Sequence, residues 1–219
     1  MKLTIVYDNK IFKREIGLKS DWGFSCLIES KNDTILFDTG ARGEILLHNM
    51  KILDISPNTI NKIVISHEHS DHKGGLKNLL YYIKDVEVYH LGNEEISKNI
   101  RPIIPKIPEK ICENVWTTGR IKGLVDEQSL VLKSNRDWYV LTGCSHPGVD
   151  NILKVAKQIG NVVGIIGGFH GFNNFSIVED LKFICPCHCT AHTDDLKKAF
   201  PEKISNCGVG KTIFLDKEL

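Results

Sequence analysis

The sequence predicts an α/β protein whose sheets are covered by helices on their outer faces. Three observations carry that expectation. Short apolar runs rich in β-branched residues recur along the 219-residue chain, bounded by Gly, Asn, Asp or Ser, as strands are. Between them lie stretches with an apolar spacing of about 3.6 residues, the helical period. The two kinds of segment follow one another as strand-rich hairpins punctuated by helices, twice over.

The chain opens on a strand over Leu3–Tyr7, followed by strands over Phe24–Ile28 and Thr34–Phe37. Gly43–Leu53 has helical spacing, and Lys62–Ile65 is again strand-like. Lys73-Gly74-Gly75 lets the backbone turn sharply into a helix over Gly75–Ile83, before a strand over Val86–His90. Arg101–Cys112 carries Pro102, Pro105 and Pro108 at three-residue spacing, which suits an extended connector and argues against helix. We take it as the seam between two βα halves of a single domain spanning residues 1–219. Strands follow over Asn114–Thr118, Ser129–Leu132 and Trp138–Thr142. Asp150 before Asn151–Ile159 looks like a helix N-cap. Strands over Val162–Ile166 and Phe183–Cys187 come next. Thr193–Phe200 is helical, with Thr193 as cap and Asp194 and Asp195 as first-turn acids. A strand over Thr212–Leu215 closes the chain.

Composition narrows the function classes. A hydrophobic content of 42% and a charged content of 25% are ordinary for a soluble globular protein. A net charge of +1 gives no reason to expect nucleic acid or an anionic membrane as partner. No apolar stretch is long enough to span a bilayer, and the first seven residues read as a strand, not as a signal peptide. Seven cysteines are an odd number in a chain too large to need staples, so reduced thiols and a cytoplasmic location are expected.

The chemistry gathers in loops that follow strands. Ser66-His67-Glu68-His69-Ser70-Asp71-His72 sets three imidazoles among carboxylates directly after an apolar strand, a donor set suited to a divalent metal. Asp38, at the tip of Leu36-Phe37-Asp38-Thr39-Gly40, is placed to hydrogen-bond a ligating imidazole and fix its tautomer, or is a plain turn aspartate. His146 in Gly143-Cys144-Ser145-His146-Pro147-Gly148 repeats the strand–loop–helix placement, and His170 in Gly167-Gly168-Phe169-His170 again follows a strand. In Cys185-Pro186-Cys187-His188-Cys189, an extended backbone would send the cysteines to one face and His188 to the other. A thiolate centre on Cys185, Cys187 and Cys189 is the competing reading, although its alternate-residue spacing is not that of zinc ribbons or ferredoxins. His48, in a helix, and His90, closing a strand, are left outside the site.

Phe37-Asp38-Thr39-Gly40, His67-Glu68-His69-Ser70-Asp71-His72 and His146 together resemble the metallo-β-lactamase superfamily and its H-x-H-x-D-H loop. Gly143–Gly148, Gly167–His170 and His188-Cys189-Thr190 resemble one branch of it, typified by 7,8-dihydropterin-6-methyl-4-(β-D-ribofuranosyl)-aminobenzene-5′-phosphate synthase. Gly23-Phe24-Ser25, Thr117–Ile121, Asp126-Glu127-Gln128-Ser129-Leu130 and Val209-Gly210 extend the likeness over nearly the whole chain. The resemblance implies a four-layer αβ/βα sandwich with a metal site at the edge between the sheets. It implies one or two divalent ions, zinc first, with manganese, magnesium or iron as alternatives. His67, His69 and His146 would hold the first ion, and Asp71 and His72 the second. His170 stands where many members carry a bridging aspartate. His188 matches the last ligand motif, with His192 as understudy. Asp71 would orient an attacking water and accept its proton. The implied activity is that of a hydrolase or transferase acting on a small phosphorylated or ester substrate, dihydropterin-type synthase chemistry included. Lys73 and Arg120 are candidates for phosphate contact, though a solvated role suits each better. The stretch from Ile121 to Asp126 is short, as if a substrate-covering insertion were missing. A cysteine-based metal-binding or redox-sensing protein, and a non-catalytic superfamily member, are the alternatives.

Overall fold

Alternation of β-branched and turn residues produces two six-stranded mixed sheets, one in each of two units. The structure, a computed structural model, describes residues 1–12, 17–92, 96, 100 and 102–216. The first unit comprises Met1–Ile104 and Cys207–Leu215; Pro105–Asn206 builds the second.

In the first unit, β1 (Lys2–Tyr7), β2 (Ser25–Glu29) and β3 (Thr34–Phe37) form an antiparallel meander. The β2–β3 turn is closed by Ser30 and Asp33, whose backbone groups bond at 2.9 Å. α1 (Gly43–Ile52) then crosses to β4 (Lys62–Val64), and α2 (Ser70–Lys73) and α3 (Leu76–Leu80) lead to β5 (Glu87–Tyr89). Helical crossovers make β3, β4 and β5 parallel. Leu36, Ile63 and Val88 stand in one register row and pack with Leu46, Met50 and Leu79 beneath the helices. Each such side chain removed from water contributes about 1.5–3 kcal/mol. On α1, Ile45, Leu46, Asn49 and Met50 form the buried face. Asn49 is tolerated there because its amide bonds the carbonyls of Val6 and Lys19 and accepts from the Lys19 N–H.

The second unit repeats the plan. β6 (Glu109–Cys112), β7 (Val115–Thr117), β8 (Leu130–Ser134) and β9 (Asp137–Thr142) are antiparallel. α4 (Val149–Ile159) crosses to β10 (Val162–Gly168), which pairs in parallel with both β9 and β11 (Phe183–Cys187). α5 (Thr193–Ala199) follows. Val140, Ile152, Leu153, Ile165, Phe169 and Ile184 lie in the core of this unit. The last strand, β12 (Thr212–Phe214), belongs to the first unit and pairs antiparallel with β1.

Several expectations change. β6 lies inside the segment read as a connector, beginning immediately after Pro108; its exposed Glu109 and Lys110 suit a sheet edge. α4 starts two residues early, with Gly148 (φ 97°) at the cap and Asp150 in the first turn. His192, not Thr193, caps α5, and Thr193 instead donates its hydroxyl to the Thr190 carbonyl. The helix expected over Gly75–Ile83 holds only from Leu76 to Leu80. β11 ends at Cys187 and His188 turns left-handed (φ 46°), so the alternation projected through Cys189 breaks there.

Candidate metal centre

In each unit the candidate residues sit beyond the carboxyl ends of three neighbouring parallel strands, where open α/β sheets place ligands. In the first unit, β3 delivers Asp38, β4 delivers Ser66 to His72, and β5 delivers His90.

Asp38 is fully buried at φ 60°. One carboxylate oxygen accepts the Ser66 N–H at 2.7 Å; the other takes the Ser66 hydroxyl at 2.8 Å and His72 Nδ1 at 2.7 Å. A carboxylate here can only accept, so His72 carries its proton on Nδ1 and keeps a lone pair on Nε2. The Ser66 hydroxyl proton is spent on Asp38, so at 2.9 Å it accepts from His67 Nδ1. His67 is thereby left with its lone pair on Nε2 as well. A single carboxylate sets both tautomers, one of them through a serine.

The donors fit a divalent cation. His67 Nε2 and His69 Nδ1 lie 3.1 Å apart. Two nitrogens on one tetrahedral zinc, each at about 2.0–2.1 Å, would be separated by about 3.3 Å. His72 Nε2 faces an Asp71 oxygen at 3.7 Å, a second pair of borderline ligands on the same loop. Backbone contacts hold that loop: Thr39 donates to the His72 carbonyl through N–H (2.6 Å) and hydroxyl (3.0 Å), and the Phe24 N–H reaches the Asp71 carbonyl. Gly23 (φ 144°) permits this approach, since a Cβ there would stand 2.5 Å from the Asp71 carbonyl oxygen.

Two further residues belong to the surroundings of this loop. His90, left outside by sequence reasoning, is buried. It accepts the Gly92 N–H on Nδ1, so its Nε2 donates to Glu68 at 3.1 Å. Glu68 is also paired with Lys73 at 2.5 Å, which gives that candidate phosphate contact a partner within its own loop. Arg120, the other candidate, is likewise paired, with Asp126 at 3.1 Å.

In the second unit, the loops after β9, β10 and β11 are stitched together. The Ser145 hydroxyl donates to the Gly168 carbonyl at 2.7 Å, and the Gly168 N–H to Gly143 at 2.9 Å. The Thr190 hydroxyl bonds the Cys187 carbonyl and receives the Phe169 N–H. His146 and His170 are brought together, their ring centroids 5.2 Å apart. His170 is exposed and His188 half-buried, and with Ser145 both adopt positive φ at strand ends. Such strained backbone is characteristic of functional loops. His192 is turned to Asp195 on its own helix, at 3.2 Å. Cys187 directs its thiol to the Cys185 carbonyl and Cys189 to the Cys144 carbonyl.

A profile of the Metallo-beta-lactamase superfamily matches residues 23–149, more than half of the chain. The chain belongs to the metallo-β-lactamase superfamily. The protein named 7,8-dihydropterin-6-methyl-4-(beta-D-ribofuranosyl)-aminobenzene-5′-phosphate synthase of Methanocaldococcus jannaschii is 27% identical, over 89% of this chain and 90% of its own. Ribonuclease Z of Treponema denticola is 29% identical over 52% of this chain and 32% of its own. Among solved structures, a metal-dependent hydrolase of the β-lactamase superfamily superposes with a TM-score of 0.75 at 24% identity, covering 99% of this chain and all of that one. The α/β fold expected from the sequence is therefore that of the metallo-β-lactamase superfamily. The superfamily generally binds divalent metals, and it is a superfamily of enzymes. Among the described residues, no helix is long and apolar enough to cross a membrane.

Proposed function

We propose that this metallo-β-lactamase-fold chain is a metal-dependent hydrolase or transferase acting at a phosphate or ester oxygen of a small substrate. The His67–His69 nitrogen pair carries this reading, with the lone pair of His67 fixed through Ser66 by Asp38. The ligand set we assign is His67, His69 and His146 for one ion, and Asp71, His72 and His188 for a second, with His170 beside His146. Of the second-unit members, His146 lies within the matched residues 23–149, whereas His170 and His188 are assigned from the resemblance of their motifs to the family branch. A divalent ion, zinc foremost, supplies Lewis acidity toward phosphate or ester oxygens. Asp38 and Ser66 hold the imidazoles in tautomer, and Asp71 takes up the proton of the attacking group. The synthase named above, alike over nine-tenths of both chains, favours a phosphorylated, pterin-like substrate. The ribonuclease likeness covers only about half of this chain.

Metal content of the purified protein, measured for wild type, His67→Ala and Cys187→Ala, tests the reading. His67→Ala is expected to lose metal and turnover of a generic phosphodiester in added zinc or manganese, while Cys187→Ala retains the metal. Intact metal in His67→Ala with loss in Cys187→Ala would favour the thiolate centre and overturn the proposal.

A further inference from the structure

Glu127 lies between β7 and β8, far in sequence from any candidate ligand, and is 1% exposed. Its Oε1 accepts the N–H groups of Gly143 (3.0 Å), Cys144 (3.0 Å) and Ser145 (3.1 Å) and the hydroxyl of Thr142 (3.0 Å). Its Oε2 accepts the N–H of His146 at 2.9 Å. Four consecutive backbone N–H groups turned to one side make a concave anion nest, and here the anion comes from the chain itself. Every one of these contacts asks the carboxyl group to accept, which is what its ionised form does. A buried carboxylate is costly unless it is fully bonded, and this one is supplied with donors on both oxygens.

We propose that Glu127 is the positioning residue for His146: by filling the nest it sets the 142–146 loop, and the backbone from which the His146 imidazole projects, before any cation arrives. This rests on His146 being a metal ligand. The division of labour between the two oxygens makes the idea specific. Oε1 organises the start of the loop, whereas the bond to His146 belongs to Oε2. The loop is also tied by Ser145 to Gly168 and by Gly168 to Gly143, so its overall path does not depend on Glu127 alone. What those ties leave to the carboxylate is the His146 amide.

Glu127→Gln separates these roles, because the amide oxygen can keep the Oε1 donors while its NH2 faces the His146 N–H. Two quantities are to be measured: Co2+ affinity by absorption titration, and residue-resolved amide exchange in metal-free protein. Folded Glu127→Gln is expected to bind Co2+ about 10–100-fold more weakly, as loss of a ligand's supporting partner generally does. Its His146 amide should exchange faster, while those of Gly143 to Ser145 change less. Affinity within twofold of wild type with unchanged His146 exchange would overturn the proposal. Should the variant not fold, the metal-free wild type decides: a His146 amide already protected supports prior positioning, and one protected only after Co2+ is added refutes it. Failure of the underlying function reads differently, as a wild type that takes up no Co2+ at all.

Discussion

Asp38 shows how much one side chain does at the residue scale. It serves His72 directly and His67 through Ser66, so Asp38→Asn disturbs two imidazoles at once. Asparagine tolerates the positive φ, but its amide no longer demands a proton on His72 Nδ1. A zinc or cobalt titration should show a loss of about 10–100-fold in affinity, the usual cost of such partners. Ser66→Ala should cost less, since it leaves the Asp38–His72 bond in place. The 67–72 histidine cluster stands out in the sequence because ligand types recur there at tight spacing, and Asp38 because it closes an apolar strand; its expected hydrogen bond to an imidazole is met by His72. Ser66, His90 and Glu127 were not legible there: their roles depend on which strand ends become neighbours. Glu127 meets its loop across nineteen residues of chain, and nothing near His90 in sequence resembles a ligand motif.

At the scale of elements, strands were read to within a residue or two wherever apolar runs met turn residues, and β3 and β11 match to the residue. β6 was missed because prolines outweigh short strand signals, although an edge strand can start directly after one. α2 was missed because four residues give no period to detect. Packing fixes what the periods leave open. Ile152, fully buried on the inner face of α4, should cost about 2–5 kcal/mol when changed to alanine. Urea unfolding should show that loss as a lower midpoint with an unchanged slope. The β3–α1 loop is tighter still. At Gly40 (φ 65°) a Cβ would stand 2.4 Å from the Tyr7 ring, so Gly40→Ala combines a clash with backbone strain of about 1–3 kcal/mol. Its unfolding midpoint should fall as well.

At the scale of the molecule, the same plan appears twice, an antiparallel meander running into three parallel strands whose ends carry the candidate loops. That doubling was visible as alternation of segment types, not as repeated residues. Acid stability is a property of the whole fold, and Asp21 contributes to it. Its hydrogen bond from Arg42 lowers its pKa below the usual carboxylate range, and the Tyr7 hydroxyl adds a 2.6 Å bond. Burial, reinforced by Asp21, pushes the Tyr7 hydroxyl up. Because the folded pKa of Asp21 lies below its unfolded value of about 3.9, its contribution is present above that pH and lost as pH falls through the folded value. Wild type should therefore exceed Arg42→Ala in stability near neutrality, and the two unfolding curves should converge below about pH 4.

β12 pairs with β1 across a long separation in sequence, Leu3 opposite Ile213, and there it covers one edge of β1. During translation β1 is made long before β12, so its outer hydrogen-bonding edge is capped only once β12 has followed. A ribosome-bound chain would thus present a naked template for strand addition until β12 emerges, a hazard for nascent sheets. Helpers that shield nascent chains should therefore matter to the yield of this protein.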